Sequence, residues 1–192
     1  MSKALRIIRD EHRSIAAVLH GMEHLVRQIR GRKAKVDPKM FRAMLYYLDT
    51  FSERLHHPKE DRFLFAPLKR RAGADALIAE LEREHAGGGD SLRRVEQCLI
   101  RYEEGGDREF AEFAREIERF VAGYWEHMRK EEEQVFPLAE KLFSAQDWAE
   151  IDRQFEQNTD PLAPAREETD FKKVFSRIVD IAPPPIGVGP SS

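Results

Sequence analysis

Four histidines and two glutamates in this sequence have the type and spacing to hold metal ions: His12, His56, Glu60, His85, His127 and Glu131. Two of the histidines are followed four residues later by a glutamate, as His56-x-x-x-Glu60 and His127-x-x-x-Glu131. On a helix such a pair shares one face at a separation of about 6 Å, close enough to bind one metal or two adjacent ones. Imidazole and carboxylate together give a mixed nitrogen and oxygen donor set, which suits iron or manganese and also accepts zinc. With two bridging carboxylates and two imidazoles per metal, each of two metals gains four protein ligands. That leaves room for a solvent bridge and an exchangeable position. Cys98 is the only cysteine, which excludes an intramolecular disulfide, a Cys-rich zinc site and a cysteine-ligated iron–sulfur cluster.

The elements that must position these residues read as helices. From about Lys3 to Arg30, Leu5, Ile8, His12, Ile15, Leu19, Met22, Val26 and Ile29 recur at alternating steps of three and four, forming one continuous face. Gly31 is expected to end this helix, and Asp37-Pro38 supplies an N-cap followed by a proline at the first helical position. The second stripe reads Phe41, Leu45, Leu48, Ser52, His56, Glu60 and Phe63, with a kink expected at Pro58. After a break at Ala72-Gly73-Ala74, the third carries Ile78, Leu81, His85, Gly88, Leu92, Val95, Leu99 and Tyr102. Gly87-Gly88-Gly89 interrupts it, each glycine costing roughly 1 kcal/mol relative to alanine. Close helix approach, room for a ligand or a local break would each account for them. The turn at Gly105-Gly106-Asp107 starts a fourth helix with Phe110, Phe113, Ile117, Phe120, Tyr124, His127, Glu131, Val135, Leu138 and Leu142.

Each stripe therefore places a histidine among residues that must face the interior. Burying an unpaired carboxylate costs several kcal/mol, so Glu60 and Glu131 make sense inside only if cations compensate them. The segments HHPKEDRFLF and HMRKEEEQVF align His56 with His127, Glu60 with Glu131 and Phe65 with Phe136. Glu11-His12 and Glu84-His85 match as well, so the chain reads as two copies of a helical hairpin around a pseudo-twofold site. The expected fold is all-α: an antiparallel up-down-up-down four-helix bundle over residues 1–145, with a C-terminal short helix and extended Pro-rich tail over 146–192. Ser144-Ala145-Gln146-Asp147 resembles a capping box that opens the short helix through about Gln157, and one amphipathic segment, Phe171 to Ile181, lies in the tail.

Composition agrees with long solvated helices, since 35% of the 192 residues are charged and the net charge is only −3. No global basic field exists to attract nucleic acid. There is no apolar stretch long enough to span a membrane and no secretory pattern at the N-terminus, so a soluble, cytoplasmic protein is expected.

Taken together, His12, His56-x-x-x-Glu60, His85 and His127-x-x-x-Glu131 resemble the hemerythrin-like, or HHE cation-binding, domain family over roughly residues 3 to 143. The resemblance implies a carboxylate-bridged, non-haem centre of two iron ions that interacts reversibly with O2 or nitric oxide. Oxygen-carrying members place a further histidine four residues before the one matching His85, where this chain has Leu81. That departure points away from reversible O2 carriage, toward redox or nitrosative-stress chemistry and toward the bacterial di-iron proteins that repair iron–sulfur clusters. The leading functional expectation is a di-iron protein that binds or senses O2, nitric oxide or peroxide. A di-iron oxidoreductase or iron donor in cluster repair, and a metal-stabilised interaction module, are the alternatives.

Other polar residues carry weaker expectations. Tyr124 shares the stripe of His127 and reads as a core tyrosine. His57 points about 100° away from His56, behind the ligands or at the surface. His20 and His24 read as solvated, and so do Asp61, Glu132 and Glu133. Glu11 and Glu84 are placed to orient an imidazole, and Cys98 reads as inert core.

Overall fold

The computed structural model describes residues 2–32, 36–71 and 75–156. The break at 72–74, the amphipathic segment Phe171 to Ile181 and the Pro-rich tail lie outside the described residues. The elements are all helical. Helix α1 spans Lys3–Arg30. A second rod begins with α2 (Lys39–Tyr47), widens into π-helical turns π1 (Leu48–His56), and continues through α3 (His57–Glu60), π2 (Asp61–Phe65) and α4 (Ala66–Lys69). Helix α5 (Asp75–Gly105) forms the third rod. The fourth runs through α6 (Asp107–Lys130), π3 (Glu131–Val135) and α7 (Phe136–Leu142), and α8 (Ala145–Glu156) follows. Among the described residues, no helix is long and apolar enough to cross a membrane.

Two apolar clusters form the interior, and the polar residues of the stripes lie between them. One cluster gathers Ile15, Leu19, Phe51, Leu92 and Phe120, and the other Leu5, Ile8, Leu64, Leu81 and Val135. Along α1 the sequence passes from Ile8 in the second cluster, through His12, to Ile15 in the first. Each of the other rods likewise crosses from one cluster to the other at its own histidine. Helix α5 packs mainly against α6, and α1 against α6 and α8. The glycine run does not break α5, which is continuous through Gly87, Gly88 and Gly89.

Three prolines have a common local effect. Each π segment ends on a backbone N–H that reaches back five residues, from His57 to Ser52, from Ala66 to Asp61 and from Phe136 to Glu131. The next residue in each case is a proline: Pro58, Pro67 or Pro137. Proline lacks the donor and its ring collides with the carbonyl four residues earlier, and widening the preceding turn moves that carbonyl away. The kink expected at Pro58 is thus taken up by π-helical turns. The added residue also shifts the register, so Leu64 and Phe65 are fully buried while Phe63, expected on the inner stripe, is only half-buried.

Helix ends show one further departure from expectation. Gly31 keeps right-handed helical geometry, and the left-handed position after α1 is taken by Arg32 at φ 52°. At the start of α2 the Asp37 carboxylate accepts the Lys39 N–H, as an N-cap should. The capping box before α8 forms in both directions, with Asp147 N–H donating to Ser144 Oγ and Ser144 N–H to the Asp147 carboxylate.

Helix α8 is anchored to the rods. Asp152 accepts the Ala4 N–H at 2.8 Å and so caps α1 from outside, while Phe155 is fully buried beside Leu5, Ile8 and Phe65. Phe155→Ala is expected to lower the unfolding free energy of the metal-free protein by about 3–5 kcal/mol in urea titrations. An unchanged midpoint and slope would show that α8 does not dock there.

Candidate metal centre

All six residues expected to bind metal are brought together between the two apolar clusters, and all are buried, Glu60 and Glu131 completely. His12 Nε2 lies 3.1 Å from Glu131 and 3.9 Å from Glu60. His56 Nε2 is 3.4 Å from Glu60, and His127 Nε2 is 3.3 Å from Glu131. His85 Nε2 stands 3.8 Å from Glu60, 3.7 Å from Glu131 and 2.9 Å from His127 Nε2. Among the described residues, three sets of donor atoms each fall within 4.8 Å of one another: His12 with His56 and Glu60, His85 with both glutamates, and His57 with His85 and His127. Glu60 belongs to the first two of these sets, and His57, not expected as a ligand, joins His85 and His127 in the third.

Each of the four imidazoles is held from behind by a carboxylate on its Nδ1. Glu11 holds His56 at 2.7 Å and Glu84 holds His127 at 2.8 Å. Asp61 holds His85 at 2.7 Å and Glu132 holds His12 at 2.8 Å. The arrangement repeats the sequence duplication: the acid before a hairpin's first histidine orients its second, and the acid after each buried glutamate crosses to the other hairpin. A carboxylate on Nδ1 fixes the tautomer and aims a basic Nε2 at a metal. The orienting role expected of Glu11 and Glu84 is present, whereas the solvated reading of Asp61 and Glu132 is corrected. Both are still more than a third exposed, which is why a charge run concealed them.

The donor set fits cations on a direct observation: neither oxygen of Glu60 or of Glu131 has a hydrogen bond, although all four atoms are buried. Burial and the neighbouring Glu131 and Glu11 push the Glu60 carboxyl well above its usual range. Burial acts on Glu131 in the same direction, but the charge of His127 and the facing imidazoles of His12 and His85 outweigh it and hold that group well below its usual range. Burial opposes protonation of His127 too, yet Glu131 and Glu84 raise it to about 10. Protons on imidazole and glutamate thus balance the charge where metal would otherwise do so. The 2.9 Å between the Nε2 atoms of His85 and His127 suits two ligands of one ion.

Beside the His85 and His127 pair is a group that the sequence pattern did not assemble. His57 is buried, with its ring stacked on His85 at a centroid distance of 4.2 Å. Burial and the facing His85, His56 and His127 hold it well below the usual imidazole range, so it stays neutral. Tyr124, read as plain core, donates its hydroxyl to Glu53 at 2.5 Å. The sequence signals for this group were His57, expected behind the ligands or at the surface, and the glycine run, because a Cβ on Gly88 would collide with the Glu53 carboxylate. His57, Glu53, Tyr124, His85 and His127 line a cavity of about 380 Å³.

The remaining candidates take no part in the centre. His24 is buried, contrary to the solvated reading, because the second half of α1 is covered over a wide arc that includes Gly21, Leu25 and Val26. His20 is half-buried against Trp125, and Glu133 is exposed and paired with Arg129. Cys98 is buried beside Arg101.

Residues 3–139, a span that contains all six residues expected to bind metal, match the family model described as the hemerythrin HHE cation-binding domain. No curated protein and no solved structure matches the chain. Two outcomes follow from the geometry. Glu11→Gln and Glu84→Gln are each expected to weaken metal affinity about 10- to 100-fold in competition titrations, and equal affinity would deny them an orienting role. The second concerns pH: His127 charges more readily in the folded state than at its ordinary 6.5, so its contribution to stability is complete below pH 6.5 and is lost as pH rises through about 10. Melting temperatures of metal-free protein should fall across that interval. A flat profile would contradict the charge assignment.

Proposed function

Because the chain belongs to the hemerythrin HHE cation-binding domain family, we propose that it is a non-haem di-iron protein that binds or senses O2, nitric oxide or peroxide. His12 and His56 serve one iron, His85 and His127 the other, and Glu60 and Glu131 bridge them. The rods reverse direction at each turn in an up-down-up-down bundle, a reading supported by the alternating order in which they cross the two apolar clusters. When bound, iron supplies exchangeable coordination positions and one-electron redox chemistry.

The observation that carries the proposal is the convergence of four buried, carboxylate-oriented imidazoles on two buried glutamates whose oxygens have no hydrogen bonds. A structural zinc site needs only a closed set of ligands around one ion. Here buried donors are shared among three overlapping sets, and His57, His85 and His127 line a cavity flanked by the exposed side chains of Arg94, Arg119 and Glu126. Leu81, which stands where the oxygen-carrying members have an imidazole, is fully buried in the second apolar cluster and does not line the cavity, so support for an exchangeable site there comes from the cavity itself. The same cavity favours a second reading, turnover of the ligand as an oxidoreductase.

Metal-free protein reconstituted anaerobically with ferrous iron and then exposed separately to O2, nitric oxide and peroxide should change its visible spectrum with at least one of them. An unchanged spectrum with all three would remove the proposal. Continued consumption of the ligand in the presence of an electron donor would separate turnover from stoichiometric binding.

A further inference from the structure

Glu53 lies on π1, three residues before His56, and its side chain is only 9% exposed. Its Oε1 accepts the Tyr124 hydroxyl at 2.5 Å, and that hydroxyl also lies 3.2 Å from Ser52 Oγ. The other oxygen fills the space left by the absent side chain of Gly88, where a Cβ would stand only 2.1 Å from Oε2. A glycine in the middle of α5 costs about 1 kcal/mol relative to alanine, and it stands where this carboxyl leans on the helix. His57 Nδ1 is 3.5 Å from Oε1 on the remaining side. Among the described residues, no lysine or arginine forms an ion pair with Glu53.

A buried acid with these neighbours has little to stabilise its anion. Burial, the largest influence, raises its pKa, against the opposing pull of the Tyr124 hydrogen bond and of the facing His85 and His127. The acid is therefore protonated more readily than an exposed glutamate, and it shares the cavity wall with His85 and His127. The geometry points to Glu53 as the residue that fixes a small ligand on the metal at His85 and His127 by donating it a hydrogen bond, with Tyr124 and Gly88 holding the carboxyl in place. This inference rests on the reading of that cluster as a metal centre. It also states a selectivity: the favoured ligands are those whose atom remote from the metal accepts a hydrogen bond, as in bound dioxygen, peroxide or azide.

The test is a titration of iron-loaded protein with azide, followed through its charge-transfer absorption, with iron counted per chain for wild type, Glu53→Ala, Glu53→Gln and Gly88→Ala. All four should carry the same iron. Glu53→Ala should bind azide about 10- to 100-fold more weakly, the effect of losing a hydrogen bond to a charged ligand. Glu53→Gln, whose amide still donates, should stay close to wild type, and Gly88→Ala, whose methyl group displaces the carboxyl, should resemble Glu53→Ala. Tighter binding in both Glu53 variants would identify Glu53 as an anion that repels the ligand and overturn the inference, as would equal affinity in all four proteins. Wild type that loads iron but shows no azide band would overturn it too, while the centre itself stands. Wild type that takes up no iron would overturn the di-iron reading and this inference together.

Discussion

Two carboxylates, Glu60 and Glu131, buried with no hydrogen bond on any of their four oxygens, set the constraint from which the rest of the structure follows. Anions in an apolar interior repel one another strongly and cannot both remain charged without compensation. The imidazoles around them supply it in the form of shared protons or shared metal. Every polar residue of this layer then has a role: His12, His56, His85 and His127 face the glutamates, and Glu11, Asp61, Glu84 and Glu132 hold the imidazoles from behind. The apolar clusters on either side keep water away, which makes each of these charge interactions stronger than it would be at the surface.

Duplication explains how one chain builds the layer economically. Each hairpin contributes an acid before its first histidine, which steadies its own second histidine, and an acid after its buried glutamate, which steadies an imidazole of the opposite hairpin. The hairpins are therefore tied together through the centre. Widened turns follow the same repeat, since π2 begins directly after Glu60 and π3 begins at Glu131, and they end two residues before Pro67 and Pro137. Symmetry fails at the cavity, where His57, Glu53 and Tyr124 crowd the His85 and His127 side. His12 borders a hollow of about 360 Å³ on its own side, so the two halves differ in which polar side chains line the space beside them rather than in having such a space.

The six converging residues were legible in the sequence because they obey the same period as the core: His12 falls between Ile8 and Ile15, and His85 between Leu81 and Leu92. Asp61 and Glu132 were not legible, since side chains that are partly exposed and sit in charge runs look like ordinary solvated acids. His57 takes the first of its two expected positions, behind the ligands rather than at the surface, whereas Glu53 escaped because the π-helical turns around it change the angular step on which stripe reading depends. Gly88 did signal a close approach, yet only the packing of π1 against α5 shows that Glu53 is the group approaching. His24 was misread for a different reason, because the number of sides on which a helix is covered is a property of its neighbours.

The most direct measurement is anomalous diffraction from crystals of the iron-reconstituted protein, recorded above and below the iron absorption edge. The account predicts two iron peaks about 3.5 Å apart, both within ligand distance of Glu60 and Glu131, with His12 and His56 on one and His85 and His127 on the other. No iron peak at all, with the glutamates and imidazoles still bonded only to each other, would contradict it.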